Sequence, residues 1–195
     1  MKPLHADNTE VMTAPVAQDR SSVIELLTYA TGETSLGSFL VATSQKGVRA
    51  ILLGDSPSLL VAQLHEAIPT AILTPSEGGQ RDLELQVETV IECPWTPFEP
   101  WLDVGWGDFE QMVYAALTLT DSGTTVTPED VAAMIGAHPS SARLVRELAA
   151  KSLVAVAIPF HRLQDADGTS PYYRWGEARR QVILEREHGA LIWWL

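Results

Sequence analysis

Ile158-Pro159-Phe160-His161-Arg162 closes the apolar run Leu153 to Ile158 and leads into Asp165-Ala166-Asp167-Gly168, a turn signal. A buried segment that ends at proline and then offers an aromatic ring, an imidazole and a guanidinium sets a titratable group at the margin of a core. Active sites use such placements, and so do strand ends that do nothing. The flanking residues decide between them.

Downstream, Tyr172-Tyr173-Arg174-Trp175-Gly176 reads as an aromatic loop. A last helix follows over Glu177 to His188, with Val182, Ile183 and Leu184 apolar and Gly189 at its C-terminal cap. Upstream, Thr127-Pro128-Glu129-Asp130 is a helix start: a threonine N-cap, proline at the first helical position, acid in the first turn. That helix carries Val131, Met134 and Ile135, and Gly136 closes it. Pro139-Ser140-Ser141 opens the next, with Ala142, Val145, Leu148 and Ala149 inward and Arg143, Arg146 and Lys151 outward. A short helix, a glycine turn and a basic helix form a helix-turn-helix pattern, which by itself is common among helix pairs that bind nothing. Before it, Phe109, Met112, Val113, Ala116 and Leu117 recur at helical spacing until Asp121-Ser122-Gly123.

The first half differs in character. Val23–Thr31, Ser38–Thr43 and Val48–Leu53 are β-branched and apolar, and the turn Gln45-Lys46-Gly47 makes a hairpin of the last two. Ser56 and Pro57 begin a helix whose apolar face is Leu59, Leu60, Ala62, Leu64 and Ala67. A strand at Ala71–Leu73 and a helix over Asp82–Glu92, with Leu83, Leu85, Val87, Val90 and Ile91 inside, complete this half. The expected class is α+β. It comprises a flexible tail at 1–22, a small α/β domain at 23–93 built on an antiparallel sheet, a Pro/Trp-rich linker at 94–107, and a mostly helical domain at 108–195. Cys93-Pro94-Trp95-Thr96-Pro97-Phe98-Glu99-Pro100-Trp101 holds three prolines in nine residues, which excludes a helix interior.

Composition sets limits. The chain of 195 residues carries a net charge of −12. Residues 1–107 hold 5 Lys+Arg against 14 Asp+Glu, and residues 108–195 hold 8 against 11. Neither half is basic, which argues against strong sequence-independent DNA binding, since phosphate neutralisation supplies most of that affinity. One cysteine, Cys93, allows no internal disulfide and no cysteine metal cluster, as suits a cytoplasmic protein; no metal or cofactor is expected. No apolar run reaches the ~20 residues of a membrane span. The chain is expected to be a monomer with no membrane partner. The terminal Trp193-Trp194 has no role legible in sequence.

The order of these pieces resembles the methylated-DNA–protein-cysteine methyltransferases, the O6-alkylguanine-DNA alkyltransferases of the Ada/Ogt group, from about residue 24 onward. Leu36-Gly37-Ser38-Phe39-Leu40-Val41-Ala42 with Gly47-Val48-Arg49-Ala50-Ile51 resembles the family's N-terminal hairpin. Phe109-Glu110 with Val113-Tyr114-Ala115-Ala116-Leu117 is similar to its FQ..VW.AL helix. Ile135-Gly136 with Ala142-Arg143 resembles its turn and recognition helix, Ile158-Pro159-Phe160-His161-Arg162 its IPCHRV motif, and Tyr173-Arg174-Trp175-Gly176 its GYRWG. The resemblance implies a ribonuclease H-like N-terminal domain and a winged-helix C-terminal one. It also implies a suicide reaction, in which a flipped O6-alkylguanine gives its alkyl group to the motif cysteine, with a histidine and a glutamate as relay.

The departures matter as much. Phe160 stands where the family has its acceptor cysteine, while His161 and Glu187 match the relay. Pro128 stands for a tyrosine that helps rotate the target nucleotide, and Ser152 for an asparagine that steadies the turn. Leu144 and Arg146 replace small residues on the recognition helix. Arg143, the intercalating arginine, and Tyr173, which closes over the base, are kept. The resemblance therefore implies a DNA contact set of Thr127, Arg143, Arg146 and Ser152 and a base pocket of Phe160, Arg162 and Tyr173. The partners it implies are duplex DNA with alkylated guanine and a repair or regulatory protein. Two readings carry about equal weight: a relative that binds DNA without transferring the alkyl group, and a scaffold that has lost both functions. On the second, Glu187 is a solvated helix residue and Phe160 fills an empty pocket. Transfer to Cys93 is a distant third.

Overall fold

β1 (Glu25–Thr34), β2 (Gly37–Thr43) and β3 (Val48–Gly54) pair as an antiparallel meander, and β4 (Ala71–Pro75) joins the far side of β1 in parallel, giving the order β3-β2-β1-β4. This architecture comes from a computed structural model that describes residues 24–78 and 80–192. The sequence-based expectations for the tail at 1–22 and for Trp193 and Trp194 lie outside the described residues. The parallel β4 adds to the antiparallel sheet expected: α1 (Pro57–Ala67) carries the chain across the sheet before β4, and such a crossover returns a strand in parallel. β2 is buried along Ser38–Ala42 on both faces, so its sequence is a continuous apolar run after Ser38 and not an alternation. Gly37 makes the β1–β2 turn possible, with φ at +104° and a would-be Cβ 2.5 Å from the Gly54 carbonyl oxygen.

α1 covers β2 and β3, and α2 (Arg81–Glu92) covers β1. Their inward faces are narrower than expected. Leu60 and Leu64 are buried on α1 while Leu59, Ala62 and Ala67 face solvent, and Leu85 on α2 is exposed. An isolated surface helix needs only one stripe, and these residues fall outside it. Pro57 does sit at the first turn of α1, but the Ser56 hydroxyl makes no capping bond.

The second half is helical: α3 (Asp108–Thr118), α4 (Pro128–Met134), a 3₁₀ turn at Pro139–Ser141, α5 (Ala142–Lys151), a 3₁₀ turn at Phe160–Arg162 and α6 (Glu177–Ile192). α4 begins with a full capping box between Thr127 and Asp130. It ends in a Schellman arrangement, with Gly136 at φ +68° and the Gly136 and Ala137 amides donating back to Ala133 and Ala132. Met112 and Met134 lie exposed on their helices. α6 runs through Gly189 to Ile192 instead of stopping there.

The outer edge of β3 is not free. Leu102 bridges Val48, with Val48 N–H donating to the Trp101 carbonyl at 2.8 Å and Asp103 N–H donating to the Val48 carbonyl at 2.8 Å. Further along, Ile51 N–H donates to the Leu153 carbonyl (2.6 Å) and Ala155 N–H to the Ile51 carbonyl (2.9 Å). The Pro/Trp segment and the run before residue 160 thus finish the sheet and satisfy groups that an edge strand would expose. One buried cluster runs from Leu27 and Leu40 through Leu117 and Val145 to Phe160 and Trp175.

Candidate functional site

Leu153–Ile158 was expected as a short buried segment, and it is buried at Val154, Ala155 and Ile158, but it winds instead of extending. Val156 holds φ at +53°, a conformation that β-branched residues rarely adopt. Ala157 N–H turns back to the Ala155 carbonyl (2.5 Å), and Phe160 N–H to that of Ile158 (2.7 Å). These turns aim Phe160, His161 and Arg162 inward as one 3₁₀ turn, all three buried.

Phe160 is 3% exposed, and its ring stands edge-on to Tyr114 (centroids 5.5 Å apart, planes at 90°). Tyr114 in turn lies against Trp106 at 4.2 Å. Burial, with the nearby Glu110 charge, pushes the Tyr114 phenol up to about 12.

His161 is 1% exposed and its Nε2 lies 3.0 Å from Glu187 Oε1. Burial is the largest influence on His161 and lowers its pKa, outweighing the Glu187 carboxylate. A neutral ring facing an ionised carboxylate carries its proton on Nε2. Its other nitrogen, Nδ1, is then an acceptor, buried without a hydrogen-bond partner among the described residues. Burial pushes Glu187 upward, yet His161, Arg162 and the Gly123 amide (2.9 Å) hold it down at about 2. Gly123, at φ +75°, shapes the turn after α3 that presents this amide.

Arg162 does not line an open pocket. Its Nη2 and Nε fork onto Glu187 (2.6, 3.1 and 3.2 Å), and its Nη1 donates to the Thr120 carbonyl (2.6 Å). Glu187 is likewise no solvated helix residue: it is 0% exposed, the hub of a buried cluster. Sequence reasoning missed Arg180, also 0% exposed, whose Nε donates to the His161 carbonyl (2.9 Å) and whose other nitrogens reach Glu177 and Gln164. A signal existed. Arg180, Ile183, Leu184 and Glu187 are spaced i, i+3, i+4, i+7, which puts both charges on the stripe that buries Ile183 and Leu184. Tyr173 is buried; burial raises its pKa, and its hydroxyl has no hydrogen-bond partner among the described residues.

The helix-turn-helix residues fall elsewhere. Arg143 is exposed at the start of α5 and paired with Glu147 one turn on. Arg146 is half-buried: it donates to Asp165 (2.6 and 2.9 Å) and to both oxygens of Glu129 (2.9 and 3.1 Å), and lies 6.0 Å over the Tyr172 ring. Thr127 is engaged in its capping box. Ser152 is buried, its hydroxyl accepting from Val154 N–H at 3.3 Å. Cys93 ends α2 as a half-buried free thiol. Among the described residues, no group of three His, Cys, Asp or Glu side chains is placed to hold a metal ion. No described helix is long and apolar enough to cross a membrane.

The fold and this buried cluster define one protein class. A sequence profile of the 6-O-methylguanine DNA methyltransferase DNA-binding domain matches residues 108–189. The methylated-DNA–protein-cysteine methyltransferase of Mycobacterium bovis is 32% identical over 114 residues, covering 58% of this chain and 68% of that protein. The bifunctional transcriptional activator/DNA repair enzyme Ada of Escherichia coli is 34% identical over 182 residues, 93% of this chain and 51% of Ada. The chain thus spans about half the length of the Ada protein it matches. The crystal structure of the Mycobacterium tuberculosis OGT in complex with DNA is 27% identical with a TM-score of 0.65, covering 83% of this chain and 93% of that one. The chain belongs to the methylated-DNA–protein-cysteine methyltransferase family.

Proposed function

We propose that this protein recognises duplex DNA carrying alkylated guanine in a DNA-repair context and does not accept the alkyl group. The residue at 160 carries the reading. In the family's reaction a thiolate attacks the alkyl carbon, a sulfur–carbon bond forms as the bond to O6 breaks, and guanine leaves. A phenyl ring at that position has no electron pair to offer. The rest of the relay stands ready without it: His161 is neutral, tautomerically fixed by Glu187, with Nδ1 bare. The matched DNA-binding domain, the exposed Arg143 at the head of α5 and the DNA complex of the mycobacterial relative support duplex DNA as the ligand. The lone thiol Cys93 suits the cytoplasm, where it stays reduced. We take the chain to act as a monomer beside a repair or regulatory protein.

A second reading, a scaffold that no longer holds DNA, draws on Arg146, whose charge is taken up by Glu129 and Asp165. One experiment separates the two. A gel shift with duplex DNA containing O6-methylguanine is run at low and moderate salt, beside a radiolabelled methyl-transfer assay. A shift without label on the protein supports recognition. No shift at low salt leaves the scaffold. Label that disappears in Cys93→Ser overturns both by making Cys93 the acceptor.

A further inference from the structure

The Pro/Trp segment and α3 enclose a cleft of about 590 Å³, a size common to small-molecule sites. Phe98, Trp101, Trp106 and Tyr114 form its aromatic walls. Its charged lining residues are Glu99 and Asp103, with no Lys, Arg or His among them. The walls are held by their backbone. Val48 donates its N–H to the Trp101 carbonyl and accepts from the Asp103 amide, and Gly47 packs so closely that an added Cβ would stand 2.3 Å from that carbonyl oxygen. Gln111 ties the opposite wall to α3 by donating to the Trp106 carbonyl (3.2 Å), and the Trp106 ring rests on Tyr114. Trp101 nonetheless leaves 77% of itself in solvent on this fixed support. Asp103 is oriented by the Ser44 hydroxyl at 2.5 Å, and Glu99 is exposed with no salt-bridge partner among the described residues.

Indole faces carry negative potential that attracts cations, and the gain is larger when a carboxylate sits beside them. We propose that this cleft binds a flat organic cation, of the quaternary-ammonium heterocycle class, through the faces of Trp101 and Trp106 and the charges of Glu99 and Asp103. The same carboxylates repel phosphate, so the site is not an extension of a DNA face. It stands independently of the function proposed above.

The test is isothermal titration of the full chain with N-methylquinolinium, neutral quinoline and anionic quinoline-8-sulfonate at mildly alkaline pH. The cation binds saturably and about tenfold tighter than quinoline, and the sulfonate does not bind. Trp101→Ala, a change at an exposed side chain, weakens the cation several-fold. Glu99→Gln weakens the cation and leaves quinoline unchanged. Equal affinities for cation and neutral ring, absence of saturable binding, or indifference to Trp101→Ala would overturn the proposal.

Discussion

His161 and Glu187 stand 26 residues apart in the chain and 3.0 Å apart in space, Nε2 to Oε1, with neither side chain more than 1% exposed. Arg162, the next residue after His161, grips the same carboxylate, its Nη2 donating to that same Oε1 at 2.6 Å. One carboxylate therefore both fixes the imidazole tautomer and neutralises a buried guanidinium.

Removing that carboxylate's charge is the first test. Glu187→Gln leaves Arg162 buried without a counter-ion and costs about 3–5 kcal/mol. Pairing it with Arg162→Met recovers a large part of the loss, because the buried guanidinium left without a counter-ion is then removed. Urea denaturation of the two variants checks both statements. A Glu187→Gln cost below about 1 kcal/mol would show the clamp to be idle.

Acid weakens the fold in two stages. His161 has a folded pKa below its ordinary 6.5, chiefly through burial, so the unfolded chain takes up a proton that the folded one refuses. That contribution is complete above 6.5 and shrinks as pH falls below it. Glu187 is held at about 2 against an ordinary 4.5, so its contribution is complete above 4.5 and fades as pH falls toward 2. The second stage is worth about 3 kcal/mol. Denaturation midpoints followed from neutral pH to pH 4 and below show both stages in the parent and lose the lower one in Glu187→Gln.

Freeing Arg146 should strengthen any DNA contact. Glu129→Gln with Asp165→Asn removes its two carboxylate partners and restores one cation to α5. Affinity for duplex DNA rises at low salt, and the slope of affinity against salt steepens by about one unit. Gel shifts across a salt series measure it. An unchanged slope means that this face does not meet phosphate.

Placing a thiol at 160 does little for transfer. Phe160→Cys removes most of a buried ring and costs about 2–4 kcal/mol. The resemblance implies a tyrosine and an asparagine where this chain has Pro128 and Ser152, and the new thiol still lacks both. Radiolabelled transfer to this variant stays near background, and efficient transfer would show those two positions to be dispensable.

Local signals were read from the sequence more surely than remote ones. Thr127 and Asp130 cap each other three residues apart, and Gly136 ends its own helix, so both were legible as pattern. The boundary at Gly189 is not legible, because glycine stops a helix only where the chain needs to turn, and α6 continues to Ile192. The burial of Arg162 and Arg180 depends on partners 25 and 19 residues away, which only the fold brings near. The resemblance pointed to Glu187, yet its role as the hub for Arg162 and the Gly123 amide was a matter of packing. Arg146 was expected outward because helical spacing put it there, and its two acidic neighbours come from α4 and the turn after Gln164.

The hydrogen bonds that β3 makes with residues 153–155 join the two halves mechanically. Val154 bridges the N-terminal sheet at Ile51 just before the chain winds toward Phe160. Fraying β3 would therefore loosen the support of the turn that carries His161. The sheet serves as the anvil against which the site is held, and a single melting transition for both halves is the expected outcome.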